Sequence, residues 1–254
     1  MSSSPCIFRL GVLVLLTVAC AGYAEGFLPG QRVLIEAHNC YPYGGLWADR
    51  IDRALAVGAP VAIELDMAWY TDATGKSWAV LAHGGPFSGK EPVLREYFFE
   101  KVRPVVEKAL AEGNQGDWPL YTLNINDLRG KDEVMAVWLR DLLTEYEGWL
   151  CTALKTDDPA LQSSIDVKPV LVLSNDGDSV TKIFYDQVPA GGKLLLFGGR
   201  SGGGKATNFN RWWNHSWSDV EPEGQFNAGE WTPEDAARLK TLVDEAHAAG
   251  YWIR

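Results

Sequence analysis

The stretch VAIELDMAWY, Val61 to Tyr70, places two carboxylates in a run of apolar residues. Val61, Ile63 and Leu65 alternate with other residues and read as a buried strand. Glu64 and Asp66 are two apart, so on a strand both side chains leave the same face. A strand does not bury two like charges on one face without a partner for them. Two oxygen-rich side chains aimed at one point suit a hard divalent cation, Mg²⁺ or Ca²⁺.

Other polar residues end neighbouring predicted strands. RVLIEAH ends in His38, followed by Asn39, and WAVLAH ends in His83. WPLYTLNIND ends in Asn124, Ile125, Asn126 and Asp127. Two histidines on opposite sides of a cation can act as general acid and general base near neutral pH. A cation between them would offset phosphate charge and polarise phosphorus. Together these groups suit cleavage of a phosphodiester. Asn39 and Asn124 are candidate substrate ligands. Asn124 serves equally well as a partner for backbone groups. His215 and His247 fall in a Trp-rich loop and on a helix face, and are read as structural. NRWWNHSW, Asn210 to Trp217, suits packing beneath a loop or a stacking platform for substrate.

The elements that must position these groups follow from periodicity. Predicted strands at Arg32–Ala37, Val61–Asp66, WPLYTLNIND, KPVLVLSND, GKLLLFGG, ATNFNRWW and YWIR alternate with helical stretches. Most are continuous apolar runs, which predicts a parallel sheet covered on both sides in one α/β domain. EPVLREYFFEKVRPVVEKALAEG reads as a helix that Pro104 kinks or divides. KDEVMAVWLRDLLTEYEGWLCTAL reads as one long helix. TPEDAARLKTLVDEAHAAG reads as a helix capped by Thr232, with Glu234 and Asp235 in its first turn. Its Ala236, Leu239, Leu242, Val243 and Ala246 are the expected sheet-facing stripe. GGRSGGGK lacks the hydroxyl of a phosphate loop, because Ala206 follows Lys205, and reads as a surface loop.

Composition narrows the partners. The 254 residues carry 23 basic and 33 acidic side chains, a net charge of −10. That argues against a nucleic-acid footprint and against a polybasic lipid patch. Residues 1–24 read as a signal peptide: Arg9 precedes an apolar run too short to span a bilayer, and Gly22 and Ala24 suit cleavage before Glu25. The domain is then residues 25–254, exported to the periplasm or outside the cell. A lipoprotein site at Cys20 is the lesser alternative, since Thr17 stands where Leu is usual. Cys40 and Cys151 are left to pair or to remain free thiols.

EAHN, ALAVGAPVAIELD and VLAHGG together resemble the phospholipase-C-like phosphodiesterase superfamily, which includes the glycerophosphodiester phosphodiesterases. The resemblance covers about Val33 to Asp127 well. It implies a TIM-type (β/α) barrel with Glu64 and Asp66 on the metal and His38 and His83 as the acid/base pair. Asn126 falls at the third metal position, where the family has a carboxylate. Asn39 replaces the family's phosphate-binding Arg, and Gly84 replaces its Asp. Sphingomyelinase-D-type toxins share a similar arrangement, so the substrate implied is a phospholipid or a glycerophosphodiester, with transient contact to a membrane surface. A catalytically inactive barrel serving as a binding module is the alternative. The superfamily's eighth strand has no counterpart after YWIR, which leaves the strand Arg32–Ala37 with an expected unpaired side.

Overall fold

The computed structural model describes residues 27–43, 46–113, 118–130, 132–175, 177–200 and 203–254. The signal-peptide and lipoprotein readings lie outside them. In chain order the elements are β1 (Glu36–Ala37), α1 (Arg50–Ala56), β2 (Val61–Thr71), β3 (Ser77–Leu81), α2 (Glu100–Glu112), β4 (Tyr121–Arg129), α3 (Asp132–Glu145), β5 (Thr152–Leu154), β6 (Ile165–Asp166), β7 (Val170–Ser174), α4 (Asp178–Thr181), β8 (Lys193–Leu194), β9 (Phe197–Arg200), β10 (Asn210–Trp213), α5 (Pro233–Ala248) and β11 (Trp252–Ile253).

Seven strands form one parallel path in the order β1-β2-β4-β7-β9-β10-β11, and β3 adds to β2 antiparallel. A small antiparallel sheet, β6-β5-β8, stands apart. Alternation sorts the two faces of the main sheet. Val61, Ile63, Leu65 and Met67 of β2 pack with Leu123 and Ile125 of β4 and with Val102, Val106 and Leu139 of the helices. The intervening residues, Glu64, Asp66 and Asn124 among them, therefore face the concave side. Lower on that side Phe27, Trp118, Leu171, Leu173, Phe197 and Trp212 form a second apolar cluster. Phe27 lies 4.7 Å from Trp118 and 5.0 Å from Trp252, ring to ring.

The sheet curls until its two ends meet through side chains. Arg254, just past β11, donates from Nε to Glu36 Oε1 of β1 at 2.5 Å. Among the described strands β1 is hydrogen-bonded to β2 alone. Val33 and Ile35 on its flank are 96% and 68% exposed, so the unpaired side expected of the first strand is present. The ordered strand is also shorter than Arg32–Ala37, covering Glu36–Ala37 alone.

Several elements differ from their sequence expectation. Pro104 lies inside α2 without ending it, and a π-turn at Arg95–Phe99 precedes the helix. The long third helix stops at Glu145 and gives way to a 3₁₀ turn and β5. Tyr146 there turns back to stack on Phe99 at 4.2 Å, and Ala153 joins the small sheet. GKLLLFGG divides into β8 and β9, which belong to different sheets. The last helix begins with the expected Thr232 cap, closed reciprocally by Asp235. Of its apolar stripe only Ala246 is buried, because no described element covers the remainder of that face.

Candidate metal centre

Glu64 and Asp66 are 0% and 1% exposed, near the middle of β2 on its concave face, just past the level at which β1 ends. Each has one oxygen tied down by the protein. Glu64 Oε2 accepts the backbone N–H of Asn39 at 2.5 Å. Asn39 holds a left-handed φ of 50°, a conformation Asn tolerates better than most residues. Asp66 Oδ2 accepts the Tyr41 hydroxyl at 2.7 Å and lies 2.9 Å from His83 Nδ1. The other two oxygens, Glu64 Oε1 and Asp66 Oδ1, are buried with no hydrogen-bond partner. Buried carboxylate oxygens are seldom left this way. Asn124, which pairs with Glu64 across β2 and β4, adds a third such oxygen, Oδ1.

A bulge brings a further carboxylate in. Leu65 pairs with Ile125, but Met67 pairs with Leu128, so Asn126 and Asp127 together oppose Asp66. Such bulges re-aim side chains. Ligand atoms of Asp66, His83 and Asp127 lie within 4.8 Å of one another, a group able to hold a metal ion. Only Asp66 in this group is buried; Asp127 is half-buried and His83 exposed. Asn126 takes another direction. Its Oδ1 accepts from Asn175 Nδ2 at 2.7 Å and from Arg254 Nη1 at 3.5 Å. Asn175 in turn accepts from Asn214 at 3.2 Å.

The histidines flank the carboxylates with their rings half-exposed. His38 Nε2 is 3.9 Å from Glu64 Oε2. His83 Nε2 lies 3.4 Å from Arg129 Nη2, which also donates to Asp127 at 2.5 Å. With Arg129 as donor to Nε2, the network assigns the His83 proton to Nδ1, toward Asp66.

No family model, curated protein or solved structure matches this chain. The chemistry of the site rests on its own geometry.

Burial pushes the Glu64 carboxyl up to about 7, opposed by the Asn39 N–H and reinforced by the charge of Asp66. An unfolded glutamic acid titrates near about 4.3. Between these values the folded chain holds the extra proton. Stability is then full below about pH 4.3 and falls as the pH rises toward 7, by about 4 kcal/mol. A cation on Glu64 replaces that proton and removes the slope. Thermal unfolding across this range should therefore show a decline in EDTA, and a flatter profile with Ca²⁺ or in Glu64→Gln. A profile identical in all three would show that Glu64 is not ionising in the fold.

The remaining singled-out residues lie elsewhere. Cys40 and Cys151 are both buried free thiols. His215 meets Asp219 at 3.1 Å and packs on Trp213, and His247 packs against Gly30. In the Trp cluster, Trp212 is buried and donates to Ser174 O, Trp213 is buried, and Trp217 is exposed. Described residues Gly203 and Gly204 of the glycine-rich loop are exposed. Glu36, Tyr41, Arg129, Asn175, Asn214 and Arg254 went unsuspected. Glu36 had a signal, since it stands two before His38 in the same strand. Tyr41 and Arg254 had none, because what they touch is set by curling of the sheet.

Proposed function

We propose that the protein is a metal-dependent phosphoric diester hydrolase that uses His38 and His83 as its acid/base pair. The observation that carries this reading is the pair of buried, unpartnered oxygens, Glu64 Oε1 and Asp66 Oδ1, between two solvent-facing histidines. Asp66 and Asp127, joined by Glu64 from the same face of β2, would hold the ion, Asp127 in place of the Asn126 that the resemblance to the superfamily implies. All-oxygen ligands favour Mg²⁺ or Ca²⁺. Such an ion, when bound, neutralises phosphate charge and polarises phosphorus.

The chain's own groups would do the rest. His83 Nε2, with the ring proton on Nδ1 toward Asp66, accepts from Arg129 in the structure and would serve as the base once Arg129 turns to a bound phosphate. It takes the proton of the attacking hydroxyl or water as the new phosphorus–oxygen bond forms. His38 gives a proton to the leaving oxygen as the old bond breaks. Arg129, Asn39 and Asn124 offer positive charge and amide donors for non-bridging oxygens. The parallel curled sheet and a site at the strands' C-terminal ends agree with a TIM-type barrel of the phospholipase-C-like kind. The leader reading would put the enzyme outside the cytoplasm, with a phospholipid or glycerophosphodiester as substrate.

Hydrolysis of bis(p-nitrophenyl) phosphate with Mg²⁺ or Ca²⁺, and again in EDTA, tests the proposal. Turnover that EDTA abolishes is expected. Cation binding without any turnover would leave a binding module, and no effect of EDTA would remove the metal from the reaction.

A further inference from the structure

We propose that Arg129 stands in for the cation at the metal centre, and that a phosphate must draw it away before a cation binds tightly. Cation and phosphate then bind as a coupled pair. The inference deepens the phosphodiesterase reading, and rests on it for the ion and the anion that meet here.

Arg129 ends β4, past the bulge, where it pairs with Ala68 of β2. From there its guanidinium reaches into the group Asp66, His83 and Asp127. One nitrogen, Nη2, donates to Asp127 Oδ2 at 2.5 Å and lies 3.4 Å from His83 Nε2. Two of the three side chains able to hold an ion are therefore tied to one positive charge. The third, Asp66, is buried and keeps Oδ1 without a hydrogen-bond partner. Arg254, another arginine at the mouth, is held by Glu36 and Asn126.

Arg129 competes with any cation arriving at Asp66 and Asp127. Both need the Asp127 carboxylate, and two positive charges this close repel. Neither cost is large for half-exposed groups, but the two add.

An anion removes both costs. Arg129 Nε and Nη1 make no hydrogen bond among the described residues, so a phosphate oxygen can bond there first. Arginine holds phosphate best by a two-point fork of neighbouring N–H groups. Each fork of this guanidinium includes Nη2. A phosphate therefore completes the fork only by taking Nη2 from Asp127 and His83. The Arg129 side chain is 44% exposed, so its head can turn without unpacking the core. A phosphate bound this way frees the Asp127 carboxylate for the ion, and His83 Nε2 for the proton it must take. By linkage, the cation raises phosphate affinity by the same factor as phosphate raises cation affinity.

The test is calorimetric titration of Ca²⁺ into the full chain and into Arg129→Gln, each with and without dimethyl phosphate, a diester with a poor leaving group. Without the anion, Arg129→Gln should bind Ca²⁺ about tenfold more tightly than the wild type, from loss of the ion pair and of the repulsion. Dimethyl phosphate should raise the wild-type affinity by a similar factor and the variant's much less. A role confined to the fold or to holding phosphate would not tighten cation binding. The side chain is half-exposed, so the variant should unfold at the wild-type temperature. If it does not fold, the wild-type titration decides, and a Ca²⁺ affinity unmoved by dimethyl phosphate would overturn the inference. Equal or weaker Ca²⁺ binding by the folded variant would overturn it too, and leave the metal reading. No Ca²⁺ binding by either chain would remove the metal reading and the inference with it. Tighter binding by the variant, without hydrolysis of bis(p-nitrophenyl) phosphate by the wild type, would remove the proposed activity and keep the coupling.

Discussion

The Glu64→Gln/Asp66→Asn double variant should bind neither Ca²⁺ nor Mg²⁺ in a calorimetric titration, and should lose turnover with it. The substitutions keep the shape of both side chains and remove both charges. Hard cations bind through charge and oxygen count, and this centre draws its two buried charges from these residues. Asp127 is half-buried and bonded to Arg129, so it cannot hold an ion alone. Binding by the wild type is expected to be accompanied by proton release near neutral pH, because the cation displaces the proton that burial keeps on Glu64. Equal cation binding by the wild type and the double variant would place the ion elsewhere and sink the metal reading.

His38→Ala and His83→Ala should each lower kcat by about 10² or more, the usual scale for losing a general acid or base. Both rings are half-exposed at the rim, so folding should survive. The two variants should differ in a second readout. His83 is hydrogen-bonded to Asp66, and removing such a partner typically weakens metal affinity about 10- to 100-fold. His38 makes no hydrogen bond to either carboxylate at its 3.9 Å distance, so His38→Ala should leave cation affinity unchanged. A variant that retains full kcat would put its histidine outside the mechanism. Equal cation affinity in both variants would deny His83 its positioning of Asp66.

Much of this was legible in the sequence because its signals are local. The period of a strand places Glu64 and Asp66 on one face whatever the rest of the chain does. The Thr232 cap and its Asp235 partner form within one helical turn. Apolar runs alternating with helices gave the parallel order of seven strands, and the histidines at strand ends followed from it. Tertiary structure decided the rest. Asp127, rather than Asn126, turns toward Asp66 because a bulge depends on the register of the neighbouring strand, which no local pattern records. The third helix ends early because Tyr146 stacks on Phe99 from another helix, overriding its helical periodicity. Arg254 meets Glu36 across 218 residues because the sheet curls, a property of seven strands packed together and of no single strand.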